Sequence, residues 1–352
     1  MINKSPKLKG PLLMNLDVTY QCTLRCLHCF NMSGEHDFDK YELTDEELID
    51  LSHQIALLRP TVICICGGEP LIRKEIIYKC CKIIREESQG NTQVNIVTNG
   101  ELLTEKVAND LKEAGFVTVQ VSIDGATHKS HDWLRNKEGV FVKAINAIKY
   151  LKKVGLNVSV ACTPTLYNLG EVDEIIKMCE ELGVNDFRMQ PLMPLGRAIT
   201  NLENYIPKYG DYKNLALRLN ELKYKNAVLG KMSIEWGDPI DHLIRYRRVL
   251  NGNNLSFGVN AYGNITISPY LPITFGNIKN HSLIEYWEKG LTYAWEIPIV
   301  KFFAEKILSC DSLAVTDSFE KLPLIYYEKG IEIDIIDEDV LNTTVDKVLK
   351  AI

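Results

Sequence analysis

The sequence predicts an α/β protein: a parallel sheet curled into a full or partial barrel, followed by a smaller α+β unit. Three observations carry that reading. Short β-rich runs alternate with helical patterns six times between about residues 13 and 191. Such alternation builds parallel strands joined by right-handed crossovers. Residue clusters suited to chemistry fall just after these strands, where parallel α/β folds keep their sites. After Arg197 the alternation stops.

The candidate strands are LMNLDVT (13–19), VICIC (62–66), QVNIVT (93–98), TVQVSI (118–123), NVSVACT (157–163) and DFRMQP (186–191). The first helix starts near Asp45, because Thr44 and Glu47 have the spacing of a capping box. Further helices are expected at about 75–87, 104–114, 140–154 and 171–182. Beyond them, 211–226 reads as helix, 231–236 as strand, 251–270 as a Gly/Asn-rich hairpin region and 281–310 as helix. The tail offers a strand at 331–336 and a short helix. The expected organisation is a partial (β/α)6, TIM-like barrel over 12–198 and a bridging helical segment over 199–230. A small α+β domain (231–310) and a C-terminal extension (311–352) complete it.

Composition narrows the function. A chain of 352 residues can bury a sizeable core. Its net charge of −6, from 40 basic and 46 acidic residues, argues against a nucleic-acid partner. Arg245, Arg247 and Arg248 cluster in sequence and leave room for a local basic patch. The basic N-terminus is followed by no apolar signal segment, and no run is long enough to span a bilayer. A cytoplasmic location without a membrane partner is expected. The ten cysteines are then expected as reduced thiols with metal or catalytic roles.

Three of them follow the first strand in VTYQCTLRCLHCF: Cys22, Cys26 and Cys29, spaced x3 and x2. Thiolates are the soft ligands that iron–sulfur clusters and zinc take. A cubane usually has four cysteine ligands, so three leave one iron open to substrate or cofactor. Two other readings stand beside this one: a zinc knot with His28 as fourth ligand, and a redox pair of Cys26 and Cys29. Adjacent His28 and Cys29 are awkward as ligands of one tetrahedral ion.

This pattern resembles the radical S-adenosylmethionine (SAM) enzymes, whose signature is CxxxCxxC after a first strand. The resemblance implies a 4Fe–4S cluster whose open iron chelates the amine and carboxylate of SAM. One electron then splits the sulfonium, and the resulting 5′-deoxyadenosyl radical abstracts a substrate hydrogen. It also implies a reducing partner such as a flavodoxin or ferredoxin. Further motifs agree in order. Gly67, Gly68, Glu69 and Pro70 after the second strand resemble the family's site for the SAM amine. Asn99, Ser122 and Asp124 end the third and fourth strands, where small polar groups suit ribose hydroxyls and a carboxylate. Arg135 falls where related enzymes place an arginine facing the SAM carboxylate, while His128 and His131 read as ordinary loop histidines. QPLMPLGRA (190–198) resembles the SPASM-containing branch, which modifies peptides and some small molecules.

The C-terminal part follows the outline of a SPASM or twitch domain in AYGNITISPY, FGNI and SLIEYW. Its cysteines are missing: Tyr270 stands where one is expected, and Cys310 is the only cysteine after Cys179. One thiolate cannot hold an auxiliary cluster. Without such an electron acceptor, a redox-neutral outcome such as epimerisation is favoured, with a thiol returning the hydrogen. Cys310 and Cys66 are the leading candidates for that donor, with Cys162 a third. A ribosomally made peptide is the expected substrate, although the first strand begins too early for a preceding peptide-recognition domain. A small molecule such as an aminoglycoside or nucleoside sugar, and a non-catalytic iron–sulfur or zinc protein, are the alternatives.

Overall fold

The computed structural model describes residues 8–36, 41–246, 254–310, 330–343 and 345. The barrel strands are β1 (Leu13–Asp17), β2 (Val62–Cys66), β3 (Gln93–Thr98), β4 (Thr118–Ser122), β5 (Asn157–Cys162) and β6 (Asp186–Met189). They pair in sequence order, all parallel. The intervening helices include α1 (Asp45–Leu58), α2 (Lys74–Glu87), α3 (Glu105–Ala114), α4 (His128–Arg135), α5 (Val140–Lys153) and α6 (Val172–Glu181). The capping box that starts α1 is present: Glu47 N–H donates to Thr44 Oγ1 and Thr44 N–H to Glu47.

Side chains alternate between the two faces of each strand. On β2, Ile63 and Ile65 are fully buried against the helices, while Cys64 and Cys66 face the other way. The same face carries Gln120 and Ser122 on β4 and Ser159 and Ala161 on β5. The helix side is therefore an aliphatic core, and the concave side is half-polar. That polarity is what the period of two in the sequence encodes.

The sheet extends past the six expected strands. A short helix, α7 (Arg197–Asn201), and a long one, α8 (Tyr209–Leu229), lead to β7 (Ser233–Trp236), which pairs parallel to β6. After α9 (Asp241–Tyr246), β8 (Ser256–Val259) pairs parallel to β1, and β9 (Ile265–Thr266) turns back on β8. The order is β7-β6-β5-β4-β3-β2-β1-β8-β9, an open, partial barrel. The expected hairpin at 251–270 is thus also a barrel edge. Its residues 251–253, with Arg247 and Arg248, lie outside the described residues.

Past the sheet come β10 (Ile273–Thr274), α10 (Leu283–Lys289) and α11 (Pro298–Lys306). The strand expected at 331–336 is only β11 (Ile331–Glu332), parallel to β10. The short C-terminal helix falls largely outside the described residues, as does most of 311–352.

One expected loop is a helix. His128 to Arg135 form α4, whose C-cap Asn136 takes a left-handed conformation. His131 is accordingly no loop residue: it is buried, and its Nδ1 accepts from Asp124 N–H at 3.1 Å.

Candidate active site

The C-terminal ends of the strands surround a cavity of about 270 Å³. Cys22, Cys26 and Cys29 line it together with Cys66, Gly67, Gly68, Asn99, Ser122 and Arg135. Nine of the sequence-derived site residues therefore meet in one place. Glu69, Pro70, Asp124 and Cys310 are not in its wall.

The cysteine loop is held by groups from distant elements. Asn99 Nδ2 approaches Cys22 Sγ at 3.9 Å and donates to Thr23 Oγ1 at 3.3 Å. The Arg135 guanidinium approaches Cys26 Sγ at 3.8 Å, and Cys29 Sγ reaches Asn31 Oδ1 at 3.0 Å. Burial pushes the Cys26 thiol up to about 11, against the opposing pull of Arg135, and raises Cys22 as well. Thiols so placed hold their protons until a soft cation displaces them.

Arg197 was not singled out from the sequence, yet it fastens this loop. Its Nε donates to Cys26 O at 2.9 Å, its terminal nitrogens to Ser33 O at 3.3 Å, and it pairs with Glu35 at 2.8 Å. The signal available was an arginine directly after a glycine that ends the sixth strand unit. Gly196 has φ 55°, and a Cβ there would stand 2.5 and 2.4 Å from the carbonyl oxygens of Cys29 and Phe30, well inside van der Waals contact.

The glycine pair also serves the loop. A Cβ on Gly67 would stand 2.3 Å from Thr19 O, and one on Gly68 2.3 Å from Gln21 O. Gly68 N–H donates to Thr19 O at 2.7 Å and Glu69 N–H to Gln21 O at 2.9 Å. The close approach expected toward a ligand is, first, an approach to the chain's own backbone.

Glu69 is fully buried with both oxygens engaged. Oε1 accepts from Thr98 Oγ1 at 2.8 Å and from Leu71 N–H at 3.1 Å, and Oε2 accepts from Asn99 N–H at 2.8 Å. Burial raises its carboxyl to about 7 despite these donors. It therefore pins the end of β3 to the turn after β2, while Pro70 opens a short 3-10 helix at 70–73. Asp124 sits behind Arg135, paired at 2.6 Å, with Thr163 N–H donating to its Oδ1 at 2.9 Å. Burial alone would raise Asp124; Arg135, then His28 and His131, hold it below the usual carboxylate range. Burial also lowers His28 to about 4, so it is neutral near pH 7.

The candidate donors separate. Cys66 lines the cavity, and the neighbouring Cys64 sulfur, then burial, push its thiol well above the usual range. Cys162 faces the helices, buried, and is not in the wall. Cys310 packs partly buried against the main core.

Residues 16–182 match the family model described as the Radical SAM superfamily. Residues 16–182 form a radical SAM domain. The chain is 26% identical over 304 residues to an AdoMet-dependent heme synthase of Methanosarcina barkeri, covering 80% of this chain and 83% of that protein. It is 29% identical over 191 residues to the mycofactocin maturase MftC of Mycolicibacterium smegmatis, covering 54% of this chain and 47% of the maturase. Streptococcus suis SuiB bound to S-adenosylmethionine shares the fold with a TM-score of 0.65 at 15% identity, over 97% of this chain and 78% of SuiB. The protein is a radical SAM enzyme, and the cofactors of the superfamily are a 4Fe–4S cluster and SAM. Among the described residues, no helix is long and apolar enough to cross a membrane.

The cavity suits these groups. Three thiols share it with a concave, half-polar wall. Among the described residues, the three sulfurs do not fall within 4.8 Å of one another. One tetrahedral zinc ion with Zn–S near 2.3 Å requires sulfurs about 3.8 Å apart. At least one pair of the sulfurs is therefore too far apart for a single tetrahedral zinc ion to take all three as they stand. The buried Arg135 Nε, which lacks a hydrogen-bond partner, is a further polar atom beside that space.

Proposed function

We propose that this radical SAM enzyme modifies a ribosomally made peptide, with epimerisation as the outcome, and that Cys22, Cys26 and Cys29 hold the cluster. The observation that carries the reading is the meeting of those three thiols with Cys66, Gly67, Gly68, Asn99 and Ser122 around one cavity. When bound, the cluster and SAM supply one-electron chemistry that removes a hydrogen atom from an unactivated C–H bond.

The chain's own groups then have distinct tasks. Asn99 and Ser122 offer hydrogen bonds to ribose hydroxyls, and the turn at Gly67 and Gly68 receives the amine of SAM. Arg135, its charge balanced from behind by Asp124, would hold the carboxylate of SAM. Glu69 acts through Asn99, holding its backbone in place. Leu192 and Met193 close the cavity and limit water. A thiol returns the hydrogen, with Cys66 and Cys310 as candidates. A flavodoxin or ferredoxin supplies the electron.

Two findings support a peptide substrate. The maturase relative acts in mycofactocin maturation by its name, and SuiB has been crystallised with its precursor peptide SuiA. Epimerisation is supported by a C-terminal segment whose only cysteine is Cys310. A second reading, a small-molecule substrate, is favoured by the longer match to the heme synthase.

The test is anaerobic reconstitution with iron and sulfide, reduction with dithionite and addition of SAM, with Cys26→Ala as control. 5′-Deoxyadenosine from the wild type alone is expected. A candidate precursor peptide incubated in D2O should then gain one deuterium at an α-carbon with inverted configuration. Turnover of the peptide without solvent deuterium would sink epimerisation.

A further inference from the structure

The cavity wall has a polarity that the cofactor sites do not account for. Among the described residues that form it, there is no aspartate or glutamate. Its basic groups already face carboxylates: Arg135 meets Asp124 at 2.6 Å, His28 the same carboxylate at 3.8 Å, and Arg197 meets Glu35 at 2.8 Å. The polar groups left over are neutral, and two of them are the carboxamides of Gln120 and Gln190. Among the described residues, nothing hydrogen-bonds either side chain. Each half-buried carboxamide therefore offers the cavity an unused acceptor oxygen and an unused NH2.

Strand register separates the two. Gln120 and Ser122 lie on the same face of β4 by the period of two. Ser122 stands about 6–7 Å nearer the C-terminal end of the strand, so Gln120 lies deeper in the barrel than the group proposed for the ribose. Gln120 pairs with Val97 on one side and with Ser159 on the other. On β2, Ile65 pairs with Ile96, which sets Cys66 level with Val97. Gln120 and Cys66 thus share one level of the concave face with β3 between them, their backbones about 10 Å apart. Gln190 instead follows the end of β6, level with Thr163 and above Ser122. It stands beside the cofactor site, whereas Gln120 lies beneath it and next to a proposed thiol donor.

A peptide unit presents one N–H and one C=O. A carboxamide matches that pair, donating to the C=O and accepting from the N–H, and needs no counter-charge. An ammonium or a carboxylate brought to the same wall loses its hydration and meets no opposite charge that is not already engaged.

We propose that Gln120 is a substrate-binding residue that holds the peptide by its backbone at the residue to be modified, and that the cavity admits this residue only with an uncharged side chain. The proposal rests on the peptide reading above and leaves the thiol donor as stated there.

The test uses the cluster-loaded, unreduced enzyme with SAM, so that nothing turns over. The probes are the N-acetyl-N′-methylamides of alanine, asparagine, lysine and glutamate, with methyl glucoside as a neutral sugar. Binding is read by saturation-transfer NMR. The alanine and asparagine probes should bind, and the lysine and glutamate probes should bind several-fold more weakly. Gln120→Ala should weaken the alanine probe several-fold, with iron content and cluster absorbance reporting the fold. Gln120→Glu supplies a carboxylate and should raise the lysine probe several-fold above the glutamate probe, a switch in preference that a merely structural role would not produce. Equal binding of the alanine probe to the wild type and Gln120→Ala overturns the proposal. So does equal binding of the lysine and alanine probes to the wild type, or a Gln120→Glu variant that does not tell lysine from glutamate. If no amide probe binds the wild type, whether or not the glucoside does, the peptide reading itself fails, and the proposal with it.

Discussion

The pair of Asp124 and Arg135 is the interaction on which the site's geometry leans hardest. Its atoms stand 2.6 Å apart, with side-chain exposures of 0% for Asp124 and 10% for Arg135. Asp124→Asn keeps the shape and the acceptor for Thr163 N–H, but leaves the Arg135 cation unbalanced beside Cys26. Removing one partner of a buried ion pair costs about 3–5 kcal/mol, because the other charge stays desolvated. The expected loss for Asp124→Asn is therefore about 3–5 kcal/mol, read from urea unfolding of the apoprotein under reducing conditions. Arg135→Met removes the other charge, so the double variant should recover part of the loss, with a coupling of about 1–3 kcal/mol. A cost below about 1 kcal/mol for Asp124→Asn, or strictly additive costs in the double variant, would refute the reasoning. Either result would mean that solvent or another group already balances the guanidinium.

Three other outcomes are expected. Gly68→Ala places a Cβ 2.3 Å from the Gln21 backbone oxygen, which has no side chain to move aside. It should cost about 1–3 kcal/mol and lower the iron bound on reconstitution; full iron content at unchanged stability would count against the packing argument. Thr44→Ala removes a capping box far from the cavity and should cost about 0.5–2 kcal/mol while 5′-deoxyadenosine formation persists, measured by thermal unfolding and product assay side by side. Glu69 has a folded pKa raised from 4.5 to about 7, so the folded state binds the extra proton between those values. Apoprotein stability should therefore fall as pH rises through that window, by up to about 3 kcal/mol from this group, and Glu69→Gln should flatten the slope. An unchanged slope in that variant would assign the pH dependence to other groups.

Much of the molecule was legible from local patterns. The strands VICIC, QVNIVT and TVQVSI form within a residue of their expected limits, because alternation and flanking turns are local signals. The cysteine triplet and the glycine pair were legible for the same reason. What stayed hidden depends on distance along the chain. Arg197 meets Cys26 across 171 residues, and no local pattern marks such a contact. α4 was hidden because HKSHDWLR is short and polar, with Trp133 and Leu134 its only apolar residues and a buried face made largely of polar side chains; its helicity orients Arg135 toward Asp124. β7 and β8 were visible as strands, but their places at either end of the six-stranded barrel sheet, beside β6 and beside β1, were not. Parallel partners lie far apart in sequence and share no turn that would announce the pairing.

The missing cysteines of the C-terminal segment have a structural counterpart. From the cavity outward, Phe30 meets Tyr270, Tyr270 meets His242, His242 meets Trp295 at 5.9 Å, and Trp295 stacks on Tyr246 at 4.8 Å. Rings at such separations pack as well as they bury area, and each has few rotatable bonds. Tyr270 therefore stands in a stiff aromatic column where a cysteine was expected, with His242 lowered to about 4 by burial and hence neutral. Neutral aromatic packing supports a dry wall and leaves the phenol as the polar end nearest the cavity.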